Sequence, residues 1–311
     1  MAKVRIAVIG VGHLGQHHAR LLSSMDEVSL VGVVDTKPGR AEEIGAKYGT
    51  RVFSSPGDLP PGSVDAVTIA VPTVSHVEVA LPFIDRGVAL LVEKPLASSL
   101  AEADRLLDAA TRRGVLIATG HTERFNPAVV AALPLVSDPR FIEVHRLGTF
   151  PERSLDIDVV FDLMIHDLDL LLAAVKSEVV SVEAVGVNVL TPRTDIANAR
   201  LRFASGCVAN ITASRISRDK IRKVRFFQHD SYVSIDYASQ EVEVYRLVPQ
   251  NGRPVIQGGK LEVPGDEPLR AELADFVAAV RDRREAGVTG RAGRDALALA
   301  TRVAEKMDAS L

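Results

Sequence analysis

The segment Gly10-Val-Gly12-His-Leu-Gly15 constrains this chain more than any other. It follows an apolar run that ends at Ile9, and it opens a stretch from Leu14 to Ser23 whose apolar residues recur at helical spacing. Asp35 closes the next β-branched run. A glycine-rich turn between a strand and a helix lets backbone amides approach a pyrophosphate at the positive end of the helix, and the acidic residue accepts hydrogen bonds from the adenosine ribose. Gly10, Gly12, His13, Leu14 and Gly15 are therefore expected around the phosphates of a dinucleotide, with Asp35 on the ribose. A carboxylate there repels the extra phosphate of NADP, so NAD is the favoured cofactor. Lys37 and Arg40, just beyond it, leave NADP as the alternative.

Around this turn the first 120 residues alternate short β-branched runs with amphipathic stretches, the pattern of βαβ units on a parallel sheet. Strands are expected at 5–9, 30–34, 66–70, 89–92 and 115–119. Helices are expected at 14–23, 38–48, 75–86 and 100–113, with Gly87 and Gly114 as stops and a kink at Pro82. After His121 the runs lengthen and alternate in and out: 141–147, 179–189, 199–203, 208–216, 221–227 and 242–247. That texture predicts a largely antiparallel sheet. One helix interrupts it at 159–175, and two close the chain at 267–284 and 294–307. The expected fold is α/β, with a Rossmann domain over 1–121 and a second α/β domain on an open sheet over 122–311, the closing helices being free to pack back on the first.

Composition narrows the partners. A net charge of −3 gives no basic surplus for nucleic acid or an anionic membrane. The apolar runs are too short for a bilayer span, which needs about 20 residues, and a cytoplasmic protein is expected. The single cysteine, Cys207, cannot make an internal disulfide and reads as a small buried side chain. His13, His17 and His18 crowd one helical turn without an accompanying carboxylate or cysteine set, so no metal site is expected.

Three further segments carry a resemblance: Val71-Pro-Thr-Val-Ser-His76 after the third strand, Glu93-Lys-Pro95 after the fourth, and Asp162-Leu-Met-Ile-His166 on the interrupting helix. Together with the glycine turn they resemble the Gfo/Idh/MocA family of sugar and cyclitol dehydrogenases, over nearly the whole chain. The resemblance implies that Pro72, Thr73, His76 and Glu93 join the cofactor site and that the Lys94–Pro95 bond is cis. It also implies that Lys94 contacts the substrate and that Asp162 and His166 form the catalytic pair. His18 matches a histidine common in the family at this helix.

These roles have a physical basis. Ligands of open α/β sheets sit at the carboxyl ends of the strands, where Lys94 lies. An aspartate four residues before a histidine on a helix can set the imidazole's tautomer and raise its basicity, and histidine suits the removal of a hydroxyl proton near neutral pH. The alternatives are a surface lysine in a proline turn and an ordinary salt-bridged histidine.

Where the family commonly has a glycine-rich run before the aspartate, this chain has Leu155-Asp-Ile-Asp-Val-Val-Phe161. With Gly120-His-Thr-Glu-Arg-Phe-Asn-Pro127 and Asp162 through Asp169, it looks more like the branch that oxidises UDP-N-acetylglucosamine at C3, whose keto product an aminotransferase would take next. On that resemblance Arg124 and Asn126 join the substrate site, and Arg146 and Arg153 meet the diphosphate. A dehydrogenase of a free sugar, inositol or other polyol is the alternative, as is an idle nucleotide-sensing module. The exposed sheet face of the family implies a homodimer or homotetramer.

Overall fold

The computed structural model describes residues 2–37, 39–150, 157–250 and 253–308. The chain divides into two compact units, Met1–Thr122 with Leu269–Leu297, and Glu123–Pro268 with Ala298–Leu311.

The first unit is built on six parallel strands: β1 (Val4–Ile9), β2 (Val28–Val34), β3 (Arg51–Phe53), β4 (Ala66–Ile69), β5 (Ala89–Glu93) and β6 (Ile117–Gly120). Their order is β3-β2-β1-β4-β5-β6. The order reverses between β1 and β4, so the carboxyl ends of these two strands border the crevice in which such sheets bind ligands. The intervening helices are α1 (Gly15–Ser23), α2 (Arg40–Tyr48), α3 (His76–Asp85) and α4 (Leu100–Arg113). Strand β3 escapes sequence reading because three residues carry no period. Helix α3 continues through Pro82 for three more residues.

In the second unit, α5 (Pro127–Ala132) precedes β7 (Phe141–Leu147) and α6 (Ile165–Val175). Seven strands follow: β8 (Val179–Val187), β9 (Ile196–Phe203), β10 (Val208–Ser214), β11 (Ile221–Phe227), β12 (Ser231–Asp236), β13 (Glu241–Gln250) and β14 (Arg253–Leu261). The eight-stranded sheet runs β14-β13-β12-β11-β7-β10-β9-β8 and is antiparallel except where β10 pairs β7. Strict alternation of burial along β7 and β9 gives one core face and one open face. On the open face Phe141, Phe227, Tyr232 and Tyr245 form a ladder with ring centroids 5.7, 5.2 and 6.2 Å apart.

The chain closes with α7 (Pro268–Asp282) and α8 (Gly290–Asp308). Leu273, Phe276 and Val277 of α7 enter the core of the first unit beside Ile6, Val8 and Leu91. Each such side chain contributes about 1.5–3 kcal/mol on burial, which fixes α7 on that unit. Cys207 is buried, and burial pushes its thiol up to about 11, so it is inert packing. No described helix is long and apolar enough to cross a membrane.

Candidate active site

The glycine turn is shaped by two different demands. A Cβ on Gly15 would lie 1.8 Å from the Gly10 carbonyl oxygen, and Gly10 itself holds φ +83°, so the chain's own packing requires these two glycines. A Cβ on Gly12 would meet nothing within 4 Å. Nothing in the protein explains a glycine there, whereas a pyrophosphate lying on the backbone does. Helix α1 starts with no side-chain cap and no acidic residue in its first turn; its Gln16, His17 and His18 amides bond back to the Gly12 and Leu14 carbonyls, so what the helix offers an anion at the turn is its positive end. The residues present therefore fit a dinucleotide. His13 and Leu14 are exposed on the turn, with His13 edge-on to His17 at 5.9 Å.

Asp35 is half-buried at the end of β2 and ties the turn down: Oδ2 accepts from the Val11 amide at 2.9 Å and Oδ1 from the Lys37 amide at 2.9 Å. A carboxylate has about four lone-pair sites, so acceptors remain for ribose hydroxyls. Arg40 is committed inward, donating to the Val11 carbonyl at 2.8 Å, Gln16 Oε1 at 3.0 Å and Glu43 at 2.7 Å.

Lys94 and Pro95 directly follow β5, half-buried, and their peptide bond is cis as the resemblance implied. Their supports are two buried side chains given other roles above. Glu93 is 5% exposed and turns inward, its Oε1 3.0 Å from Nε2 of the fully buried His18 on α1. Burial works to raise the Glu93 carboxyl, but the His18 hydrogen bond and charge, with Lys94, outweigh it and hold the group below its ordinary value. His76 is likewise buried: Nδ1 lies 3.0 Å from the Pro95 carbonyl oxygen and Nε2 3.0 Å from that of Val71. Burial holds the His76 pKa below its ordinary value, so the neutral ring has one N–H to donate to one of these carbonyls, while its other edge packs against the second; both edges face the protein, between the loop after β4 and the Lys94 turn. The side chains of Glu93 and His76 thus face the protein interior and are not presented to a ligand. Pro72 is exposed and Thr73 partly so, at a short 3-10 turn.

In the second unit the regular helix expected from Val159 begins as a π-helical turn, Val160–Met164, and becomes α-helical only at Ile165. Asp162 and His166, both half-buried, therefore straddle a change of winding and do not sit one α-turn apart. Single-turn π segments concentrate at functional sites, and sequence carries no periodic signal for them. The turn is held from below. The Val159 amide donates to the Thr194 carbonyl at 3.0 Å, and Arg215 Nη2 donates to the carbonyls of Ile157 at 2.6 Å and Thr194 at 2.8 Å. Arg215 pairs with buried Asp195 at 3.2 Å. Burial works against the Asp195 charge, yet the amides of Leu190, Thr191 and Val189 and the Thr191 hydroxyl hold its carboxyl down at about 2.

The expected substrate residues need correction. Arg146 is 4% exposed, not presented to solvent: its guanidinium grips both oxygens of Asp167 at 2.6 and 2.9 Å and Glu123 at 2.9 Å. Asn126 is 2% exposed and caps α5, its Oδ1 accepting from the Ala128 amide at 3.0 Å while Nδ2 donates to the Tyr237 carbonyl at 3.1 Å. Both are framework residues. Arg124 stays partly exposed with Nη1 3.4 Å from Asp169. Arg153 lies outside the described residues.

Two family profiles match this chain. The oxidoreductase family with an NAD-binding Rossmann fold covers residues 4–121, and the GFO/IDH/MocA C-terminal domain covers 139–230. The chain belongs to the Gfo/Idh/MocA oxidoreductases. Within this family it is 39% identical to the UDP-N-acetylglucosamine 3-dehydrogenase of Acidithiobacillus ferrooxidans, over 100% of this chain and 99% of that protein. The solved structure of that enzyme superposes with a TM-score of 0.92, covering 99% of each chain. The inositol 2-dehydrogenase of Rhizobium meliloti is 27% identical over 99% of both chains. A levoglucosan dehydrogenase solved with NADH and levoglucosan shares the fold, with a TM-score of 0.90 at 18% identity over 99% of this chain and 98% of that one.

Proposed function

We propose that this oxidoreductase uses NAD to oxidise the C3 hydroxyl of UDP-N-acetylglucosamine to a ketone. Full-length identity to a sugar-nucleotide 3-dehydrogenase, well above that to the inositol enzyme, carries the choice of substrate. Bound NAD⁺ supplies the hydride acceptor for the carbinol C–H. His166 removes the hydroxyl proton, Lys94 orients and polarises the oxygen as it becomes a carbonyl, and Asp162 sets the His166 imidazole. Arg153 keeps the diphosphate, the role withdrawn from Arg146. The ketone leaves beside NADH and one proton, and an amine-transferring enzyme is the fitting consumer of such a product. The half-exposed valines of β8, Val180, Val185 and Val187, support a homo-oligomer through the open sheet.

Reduced nicotinamide formed by purified protein tests the substrate. UDP-N-acetylglucosamine should be turned over, with free N-acetylglucosamine and myo-inositol nearly inert because they lack the diphosphate anchor. Faster turnover of a free polyol overturns the sugar-nucleotide reading.

For the cofactor, the Asp35 carboxylate at the turn and the inward commitment of Arg40 support NAD. NAD should be preferred by about tenfold or more in kcat/KM, the equivalent of about 1.4 kcal/mol, and Asp35→Ser should narrow the gap. Preference of the wild type for NADP would remove the assignment.

A further inference from the structure

We propose that the buried ion pair of Arg146 with Asp167 is a positioning device that fixes the roll of α6 and so the aim of His166. The inference rests on the role given to His166 above.

Asp167 follows His166 in the first turn of α6 and is 1% exposed. Arg146 Nε and Nη2 reach it from β7 at 2.6 and 2.9 Å, a bidentate grip that sets direction as well as distance. Arg146 is fixed in turn. Its Nη1 donates to Glu123 at 2.9 Å, and its guanidinium lies over the Tyr237 ring, 5.1 Å from the centroid. Asn126 holds the Tyr237 backbone in place, its Nδ2 donating to the Tyr237 carbonyl. A second tether comes from Arg124, 3.4 Å from buried Asp169.

At about 100° per residue, Asp167 lies about 100° to one side of His166 around the helix axis and Asp169 about 60° to the other. Two carboxylates pinned by separate arginines therefore bracket the histidine, and the helix cannot roll without breaking one of them.

Stability does not call for this pair. Burial pushes the Asp167 carboxyl up against the pull of Arg146, while the carboxylates of Asp167 and Glu123 overcome burial and hold the Arg146 guanidinium charged; replacing a buried ion pair with apolar residues of similar volume is often neutral or stabilising. What the apolar replacement lacks is direction. Fold and activity therefore come apart in the double variant.

Arg146→Met/Asp167→Leu should fold, with a melting temperature lowered only by what Glu123, 16% exposed, loses with its arginine, and should bind NADH with wild-type affinity and keep KM for UDP-N-acetylglucosamine. Its kcat should fall about 10- to 100-fold, the range in which misplacement by about 1 Å acts. Arg146→Lys keeps the charge but loses the bidentate grip and should show a smaller loss, again in kcat. If the double variant does not fold, Arg146→Lys and Asp167→Asn carry the same measurements. Unchanged kcat in the folded variants, or a loss confined to KM or to NADH affinity, overturns the proposal. His166→Ala keeps the two readings apart: a crippled His166→Ala beside wild-type network variants defeats only the positioning role, whereas an unaffected His166→Ala defeats the catalytic assignment itself.

Discussion

Replacing His166 with alanine should lower kcat by about 100- to 10,000-fold, the usual contribution of a positioned general base, while NADH binds as before. The residues that fit the cofactor, from Gly10 to Gly15 with Asp35, belong to a different unit of the chain from His166, so removing the imidazole leaves them intact. Lys94→Met keeps most of the side-chain volume and removes the charge that would polarise the hydroxyl. It should cost kcat comparably and KM less, because the interaction strengthens as the oxygen gains negative character. Asp162→Asn should cost less than either, since it sets the imidazole without taking the proton. Steady-state kinetics with UDP-N-acetylglucosamine, beside NADH titration by fluorescence, separates these effects. Near-wild-type turnover by His166→Ala removes it as the base, and a loss that appears only as weaker NADH binding by Lys94→Met would move the lysine from substrate to cofactor.

The parts of this site that sequence revealed are those written in local pattern. The glycine turn with its strand and helix, and Asp35 at the end of the next strand, are such a pattern, and the structure joins them through the Val11 amide and the Asp35 carboxylate; the cis Lys94–Pro95 bond was implied by the family resemblance alone. The parallel sheet was legible from short, continuously buried runs such as β4 and β5, and the other sheet from burial that alternates with a fixed period along β7, β9 and β11. Strands β3, β12 and β14 were not: β12 has three successive buried residues in place of alternation. The three residues of β3 have no period, and β14 is almost wholly exposed, so its residues lack the apolar alternation that marks a strand.

Most of the misread residues have a partner distant in sequence; Asn126 is the exception, since an asparagine before a proline at a helix start is a local capping signal. Arg146 looks like a phosphate ligand until Asp167, 21 residues on, takes it. His76 looks like a cofactor contact until its ring edges meet carbonyls 5 and 19 residues away. Charged and titratable side chains advertise chemistry, and only burial tells whether that chemistry faces a ligand or the protein's own backbone.

Removing His18 is expected to be the most destabilising single change near the cofactor site. His18 on α1 and Glu93 at the end of β5 form a pair 3.0 Å apart, with side chains 0% and 7% exposed. The pair joins the helix behind the glycine turn to the strand that delivers Lys94. His18→Ala leaves the carboxylate buried without the ring, and breaking such a pair costs about 3–5 kcal/mol. Glu93→Gln should cost less, because a neutral amide in the same volume carries no uncompensated charge.

The pH dependence gives the sign. In the wild type the Glu93 carboxyl is held below its ordinary value. Its contribution is thus fully present above the unfolded pKa of about 4.3 and is lost as pH falls through the lower folded value. In His18→Ala burial acts with only Lys94 against it, the carboxyl rises, and the variant loses stability as pH climbs from about 4.3 through the raised value. The difference between wild type and variant should therefore widen from pH 4 towards pH 7. Urea unfolding of both proteins across that range checks it, with Glu93→Gln as the control whose deficit stays flat only where Glu93 is ionised in both the folded and the unfolded wild type, above about pH 5 to 6. An unchanged midpoint in His18→Ala, or a deficit that shrinks as pH rises, would mean that the pair does not hold the Lys94 strand to α1.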